Sequence, residues 1–163
     1  MPMGRVVECH GANNIWLRRW RKNTIAQQFF FDAVSKTIRS QQWKNYGLEI
    51  QSNGGSTNLR MTSAANSRWW NLFRWQAPYV VNEKGKVMDV AGGIDAEQRN
   101  IQIWTKNTGL GQQWDVIYAD EYPREPVKGE LNTDFGLFVD RDFYVVSAMK
   151  SHRYIDLIMS GRH

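Results

Sequence analysis

Two adjacent residues near the start of the chain could do chemistry. Cys9 is followed by His10, which would suit a thiol nucleophile with an imidazole base. On a strand, however, adjacent side chains point to opposite faces, so the two cannot hydrogen-bond directly. His152 and His163 make no metal-ligand spacing with Cys9, and no glycine-rich segment has the context of a phosphate-binding loop. We therefore expect no catalytic activity, no metal and no cofactor.

The segment WLRRWRK, residues 16–22, alternates aromatic and basic side chains, as surfaces that bind single-stranded nucleic acid do. The same alternation fits a strand on which Trp16, Arg18 and Trp20 share one face. The net charge of +5 arises from 21 basic and 16 acidic residues that are largely interspersed, so it does not by itself indicate an acidic partner. We do not expect a nucleic-acid partner.

The elements that must position any site are repeated along the chain. NIWL at 14, NLRM at 58 and NIQI at 100 begin strand-like runs, and an aromatic cluster follows each of them. An apolar–carboxylate–apolar triplet also recurs, centred on Glu8, Glu49, Asp89 and Asp156. Short strands at regular spacing, with no sustained helical period, predict an all-β protein. Three copies predict a β-trefoil of three four-stranded repeats, each of about 42 residues, with pseudo-threefold symmetry.

The 163 residues suit a single domain. We predict repeat 1 over about 4–45, repeat 2 over about 46–84 and repeat 3 over about 85–150. Repeat 3 carries a long insertion, 119–142, which we expect to be a surface loop. Residues 153–158, RYIDLI, resemble a first strand more closely than GRVVECHG does, and both cannot fill one slot. Residues 151–163 would then begin a further repeat or pair with another chain.

The run GKVMDVAGG, NIQIW and GQQW, within 85–114, resembles a repeat of the ricin B-type, or R-type, β-trefoil lectins, with their Gln-x-Trp signature. Unit one has Gln27-Gln28-Phe29 in place of the signature, and unit two keeps its aromatic in Arg68-Trp69-Trp70. The resemblance implies that one aromatic of each repeat lies in a shared core, where its truncation would cost about 3–5 kcal/mol. These residues are Phe29, Trp70 and Trp114.

The resemblance also implies a sugar site in unit three. A carboxylate can accept hydrogen bonds from two neighbouring sugar hydroxyls, and an indole can stack on the C–H face of the ring. The matching residues are Asp89 as the carboxylate, Gln102 beside it, Trp104 as the platform and Gln112 as a second polar contact. Trp104 has an alternative role as an apolar cap on the fold.

This site departs from the family pattern at Gly111, where those lectins commonly have Asn. Asn107 lies in the same loop and is a candidate replacement. The other two units depart further and are expected not to bind neutral sugars. Neither has an indole at the platform position, and the arginine that unit one has there does not stack on a sugar as an indole does. Their residues at the carboxylate, polar and platform positions are Glu8, Trp16 and Arg18 in unit one, and Glu49, Arg60 and Thr62 in unit two.

The favoured function is a non-catalytic carbohydrate-binding module with at most one working site, for a weakly bound galactose-type glycan. The rival is a protein-interaction or structural module with vestigial sugar sites, which would contact a partner or a second copy through 119–142 and 153–158. The resemblance implies an extracellular or secretory protein, although the sequence shows no signal-peptide apolar region, no second cysteine and no N-glycosylation sequon. No apolar run reaches the roughly 20 residues of a membrane span.

Overall fold

A computed structural model describes residues 4–11, 14–119 and 131–149. Unit one contains β1 (Val6–Cys9), β2 (Ile15–Arg18), β3 (Phe29–Asp32) and β4 (Thr37–Ser40). Unit two contains β5 (Gly47–Ile50), β6 (Leu59–Thr62), β7 (Phe73–Gln76) and β8 (Tyr79–Asn82). Unit three contains β9 (Val87–Val90), β10 (Arg99–Trp104), β11 (Trp114–Tyr118) and β14 (Phe143–Ser147), with β12 (Leu131–Asn132) and β13 (Leu137–Phe138) inside its insertion. Between the strands lie 3-10 turns at Ile25–Gln27, Trp69–Asn71, Ala91–Gly93 and Leu110–Gln112.

The same burial pattern explains the strands in all three units. The first strand of each unit is buried at every position, carboxylate included. In the second strand, alternate residues face the core, as the period of two requires. Leu17, Met61 and Ile103 are thus buried at equivalent positions. The core is apolar and is built from all three units.

Strand pairing closes the three units onto one another. Within each unit the first two strands form an antiparallel pair, and so do the last two. The fourth strand of a unit pairs with the first strand of the next, β4 with β5 and β8 with β9. The last strand, β14, pairs with β1 through Val146 and Val6. The chain is therefore all-β and forms a β-trefoil with pseudo-threefold symmetry, which confirms the fold predicted from the repeats.

The predicted core aromatic of unit two is wrong. Phe29 and Trp114 each begin the strand that follows a 3-10 turn, and both are buried. In unit two that position belongs to Phe73, which is 1 % exposed. Trp70 lies inside the turn itself and is partly buried. Two aromatics stand close together here, and the turn register, which the sequence pattern does not show, decides which of them enters the core. The truncation cost expected for Trp70 therefore belongs to Phe73.

The described part of the insertion contributes buried residues to the fold. Phe135 and Leu137 are buried in the common core, and the Phe135 ring lies 5.0 Å from that of Phe31. The guanidinium of Arg141, itself 1 % exposed, lies 4.3 Å from the rings of both Tyr118 and Phe138. The prediction of a surface loop is therefore wrong for Phe135, Leu137 and Arg141, whereas Leu131 is exposed. Residues 120–130 lie outside the described part of the chain.

The first-strand slot of unit one is filled by β1, the N-terminal candidate. The C-terminal candidate, 153–158, lies outside the described residues. The shared face expected for Trp16, Arg18 and Trp20 is wrong for Trp20, because β2 ends at Arg18. Trp20 packs instead against Val6 and Tyr144. Within the described ranges, no helix is long and apolar enough to cross a membrane.

Candidate functional site

The third unit forms an open cleft of about 780 Å³ between the ends of its first two strands and the turn that precedes β11. Four of the five predicted sugar-site residues line this cleft, namely Asp89, Gln102, Trp104 and Asn107. Asp95, Leu110 and three glycines of the two turns also line it, with Gly109 and Met149. These four residues span 19 positions of the sequence, from 89 to 107, and the fold brings them to one surface.

Strand register positions the polar pair at the floor of the cleft. Asp89 and Gln102 are cross-strand partners in β9 and β10, and the Gln102 Nε2 donates to Asp89 Oδ2 at 2.8 Å. Asp89 is 6 % exposed. Two residues further along β10, on the same face, Trp104 is 46 % exposed. The arrangement offers a largely buried hydrogen-bond acceptor next to an accessible indole.

Glycines allow the two turns of the cleft to approach each other. Gly92 and Gly93 have φ values of 72° and 64°, a left-handed conformation that other residues rarely adopt. A Cβ on Gly111 would lie 3.0 Å from the Cα of Gly93. Any side chain at 111, including the Asn common in the lectin pattern, therefore requires the facing turn to shift. This packing gives a local reason for the glycine at position 111.

Gln112, the fifth predicted contact, does not line the cleft. It is 1 % exposed, its Nε2 donates to the Thr105 carbonyl at 2.9 Å, and its Oε1 accepts from the Asn107 N–H at 2.7 Å. Both ends of the amide are thus committed to the loop that follows β10. The prediction of a sugar contact at Gln112 is wrong, because this side chain holds the loop from inside.

Unit one contains the same loop clamp at the equivalent position. Gln27 donates to the Arg19 carbonyl at 2.9 Å and accepts from the Arg21 N–H at 3.0 Å. In unit two Asn71 takes this place, and it is also buried. A buried amide at the last position of the 3-10 turn that precedes the third strand is therefore a structural feature of the repeat. The recurrence of Gln27, Asn71 and Gln112 was the available sequence signal for this role.

Asn107 remains in the cleft as an exposed polar group. Its Oδ1 accepts from the Gly109 N–H at 2.8 Å, which is an Asx turn within the loop. Asp95 enters the cleft from the loop between β9 and β10. It pairs with Arg5 Nη1 at 2.9 Å, and Arg5 also contacts Glu97 at 2.6 Å. Sequence reasoning missed Asp95, because its position in the cleft depends on an ion pair with a residue 90 positions away.

The equivalent positions in the other two units are occupied by ion pairs. In unit one, Glu8 lies 3.6 Å from Arg18 and 3.1 Å from Arg21. In unit two, Glu49 pairs with Arg60 at 2.7 Å. Each arginine occupies hydrogen-bonding capacity that a sugar hydroxyl would need. The carboxylate–amide pair of unit three is thus replaced by carboxylate–arginine pairs in the described equivalents of units one and two.

Cys9 and His10 lie on opposite faces of the chain. Cys9 is buried, and this burial raises the pKa of its thiol to about 12, assisted by Glu8 and opposed by a hydrogen bond with Ser40. His10 is exposed, and its ring lies 4.2 Å from that of Trp16. Among the described residues, no group of three or more His, Cys, Asp or Glu side chains could hold a metal ion.

Three solved structures with a similar fold illustrate this architecture. The C-half of an earthworm R-type lectin, solved with GalNAc, superposes with a TM-score of 0.57 at 14% identity and covers 68% of this chain and 88% of that one. The agglutinin of Abrus precatorius gives a TM-score of 0.57 at 24% identity over 69% of this chain and 44% of that one. The earthworm lectin C-terminal domain mutant with 6'-sialyllactose gives 0.51 at 13% identity, covering 67% and 86%.

The alignment with the agglutinin spans less than half of the agglutinin chain. No family profile and no curated protein sequence matches this chain. At these identities the likeness establishes architecture, and it agrees with the pairing of β14 with β1 that closes the three units. The chain therefore has the β-trefoil fold of the R-type lectins.

Proposed function

We propose that this protein is a non-catalytic carbohydrate-binding module with one working site, the cleft of unit three. The observation that carries the proposal is the pairing of Asp89, which Gln102 holds at 2.8 Å, with the half-exposed indole of Trp104. The carboxylate can accept hydrogen bonds from sugar hydroxyls, while the indole covers the C–H face of the sugar ring. Asn107 and Leu110 add a polar and an apolar wall.

A galactose-type glycan is the first ligand to test. The two earthworm structures were solved with GalNAc and with 6'-sialyllactose, which supports this choice for a chain of the same fold. A shallow open site of this kind should bind a monosaccharide weakly, and multivalent display would raise the avidity. The module would then recognise clustered glycans rather than a single free sugar.

The test is a glycan-array screen of the wild type beside Asp89→Asn and Trp104→Ala, with folding checked by circular dichroism. Asp115→Asn is the matched control, because it makes the same chemical change at an exposed position on β11. We expect wild type and Asp115→Asn to bind the same glycans, and both cleft variants to lose binding. If folded wild type bound no glycan, the proposal would be wrong.

A protein-interaction or structural module is the second candidate. It is favoured by the ion pairs that Glu8 and Glu49 form with arginines, because these pairs leave the two carboxylates unavailable to a sugar. The partner or self-association surfaces suggested for 119–142 and 153–158 fall mainly on residues outside the described part of the chain. Deleting residues 151–163 tests the second surface, because an unchanged mass in solution and unchanged partner binding would remove it.

A further inference from the structure

The three equivalent carboxylates of the repeats differ in what neutralises them. Glu8 is 3% exposed and has two arginines within 3.6 Å, and Glu49 is 4% exposed and has Arg60 at 2.7 Å. Asp89 is equally buried, yet its hydrogen-bond partner is the neutral amide of Gln102. Among the described residues it makes no ion pair. In the described part of the chain, unit three therefore holds a largely buried carboxylate that no basic side chain pairs with.

The charged residues that line the cleft are acidic. Of the described residues that line it, Asp89 and Asp95 are acidic and none is basic. Asp95 is neutralised from outside the cleft by Arg5. Two basic side chains of the neighbouring elements have other partners, although the Arg99 guanidinium lies against Gly92 in the wall of the cleft. Arg99 donates to the Ala91 carbonyl at 2.6 Å, and Lys106 lies 4.2 Å from the ring of Tyr79.

A buried carboxylate next to an accessible indole suits a positively charged ligand group. An ammonium donates charge-assisted hydrogen bonds to a carboxylate and is attracted by the face of an indole within about 6 Å. A carboxylate that is already shielded from water gains more from such a cation than an exposed one does. Trp104, 46 % exposed, provides the aromatic face in the same cleft.

We propose that the cleft of unit three selects sugars that carry a free, protonated amine over their N-acetylated and neutral counterparts. This inference rests on the proposed function and specifies the ligand class of the same site. An aminosugar presents an ammonium and a neighbouring hydroxyl to Asp89, and its ring presents a C–H face to Trp104. Acetylation removes the charge and replaces it with an amide, which meets the carboxylate without ionic attraction.

The size of the cleft favours an aminosugar over a lysine side chain as the source of the ammonium. The cleft of about 780 Å³ extends beyond Asp89 and Trp104 to Asn107 and Leu110. A pyranose ring carries hydroxyls and a C–H face that can contact these walls in addition to its amine. A lysine side chain is a narrow stem and leaves both walls without a contact.

The experiment is a set of NMR titrations of the whole chain with galactosamine, N-acetylgalactosamine, galactose and Nα-acetyl-lysine methylamide. The last of these keeps a free side-chain amine. At about pH 6, where the amine is protonated, we expect galactosamine to bind roughly ten-fold more tightly than N-acetylgalactosamine. The preference should shrink at about pH 9 and in high salt. Asp89→Asn should remove it, whereas Asp115→Asn, an exposed change outside the cleft, should keep it.

Each other outcome overturns a defined statement. If N-acetylgalactosamine or galactose bound as tightly as galactosamine, the amine selectivity would be wrong and the carbohydrate function would stand. If Nα-acetyl-lysine methylamide bound as tightly as galactosamine, the ammonium would be recognised without a sugar, and the aminosugar assignment would be wrong. A folded wild type that bound none of the four ligands would overturn both proposals.

Discussion

Gln112 shows that a residue of the right type at the right spacing can serve the fold rather than the ligand. Its amide bonds Thr105 and Asn107 at 2.9 and 2.7 Å from a buried position. The resemblance to the lectin repeat indicated Asp89, Gln102 and Trp104, and strand alternation explains why Gln102 and Trp104 share one face of β10. The sequence could not show whether the Gln112 side chain points into the fold or toward the cleft, because strand periodicity does not apply to a 3-10 turn.

Truncating Gln112 should therefore reduce stability. We expect Gln112→Ala to lower the free energy of unfolding by about 1–3 kcal/mol, since the buried amide and its two hydrogen bonds to the loop backbone are lost. Gln113→Ala is the matched control, because the Gln113 side chain makes an exposed hydrogen bond with Thr108, and its loss should cost within about 0.5 kcal/mol. Urea denaturation of both variants measures the difference. Equal stabilities would contradict the structural role.

The thiol of Cys9 gives a prediction that depends on pH. Burial raises the pKa of Cys9 to about 12, so the folded protein holds the proton more tightly than the unfolded chain does. The stability contributed by the protonated thiol is complete below the unfolded pKa and is lost as the pH rises toward 12. We expect Cys9 to react with a thiol-specific reagent at about pH 8 in denaturant and very slowly without it. Fast labelling of the folded protein would contradict this burial.

At the scale of elements, the sequence predicted the strands but not the packing of the insertion. The repeated runs show the period of two, and each unit supports the reading of the others. Residues 131–142 have no counterpart in the other units, so the repeat gives no information about them. Their backbone is nevertheless tied to the core: Trp75 N–H donates to the Phe135 carbonyl at 2.7 Å, and Asp140 N–H to the Phe31 carbonyl at 3.1 Å.

The insertion should therefore contribute to stability. We expect Phe135→Ala to lower the free energy of unfolding by about 3–5 kcal/mol, because it removes a buried aromatic that packs on Phe31. Leu131→Ala is the control, since Leu131 is exposed in the same insertion and should change stability by less than about 1 kcal/mol. Thermal and urea denaturation would compare them. A neutral Phe135→Ala would restore the interpretation of a surface loop.

At the scale of the whole molecule, the third unit depends on the start of the chain. The Ser147 N–H donates to the Arg5 carbonyl at 2.8 Å, beside the pairing of β14 with β1. The side chain of Arg5 then continues to the wall of the cleft, where it pairs with Asp95. The closure of the fold was predictable from the number of repeats. This ion pair was not, because nothing in the pattern of either segment indicates its partner.

Arg5 should thus affect both stability and ligand binding. Its side chain is 8% exposed and that of Asp95 is 7% exposed, so Arg5→Met takes the cation away from a buried carboxylate. We expect a loss of about 2–4 kcal/mol in the free energy of unfolding and weaker glycan binding, because the loop carrying Asp95 loses its anchor. Arg68→Met, at an exposed arginine over the Trp70 ring, is the control and should cost less than about 1 kcal/mol.

A double-mutant cycle separates the ion pair from a general loss of packing. If Asp95 is the partner that matters, Arg5→Met should cost less in an Asp95→Asn background than in the wild type, because the buried charge is already gone. Urea denaturation gives the four free energies, and titration with a bound glycan gives the effect on the cleft. Additive costs would show that Arg5 acts through its other contacts, which include the ion pair with Glu97 at 2.6 Å. Unchanged glycan binding in Arg5→Met would show that the loop holds its position in the cleft without Arg5.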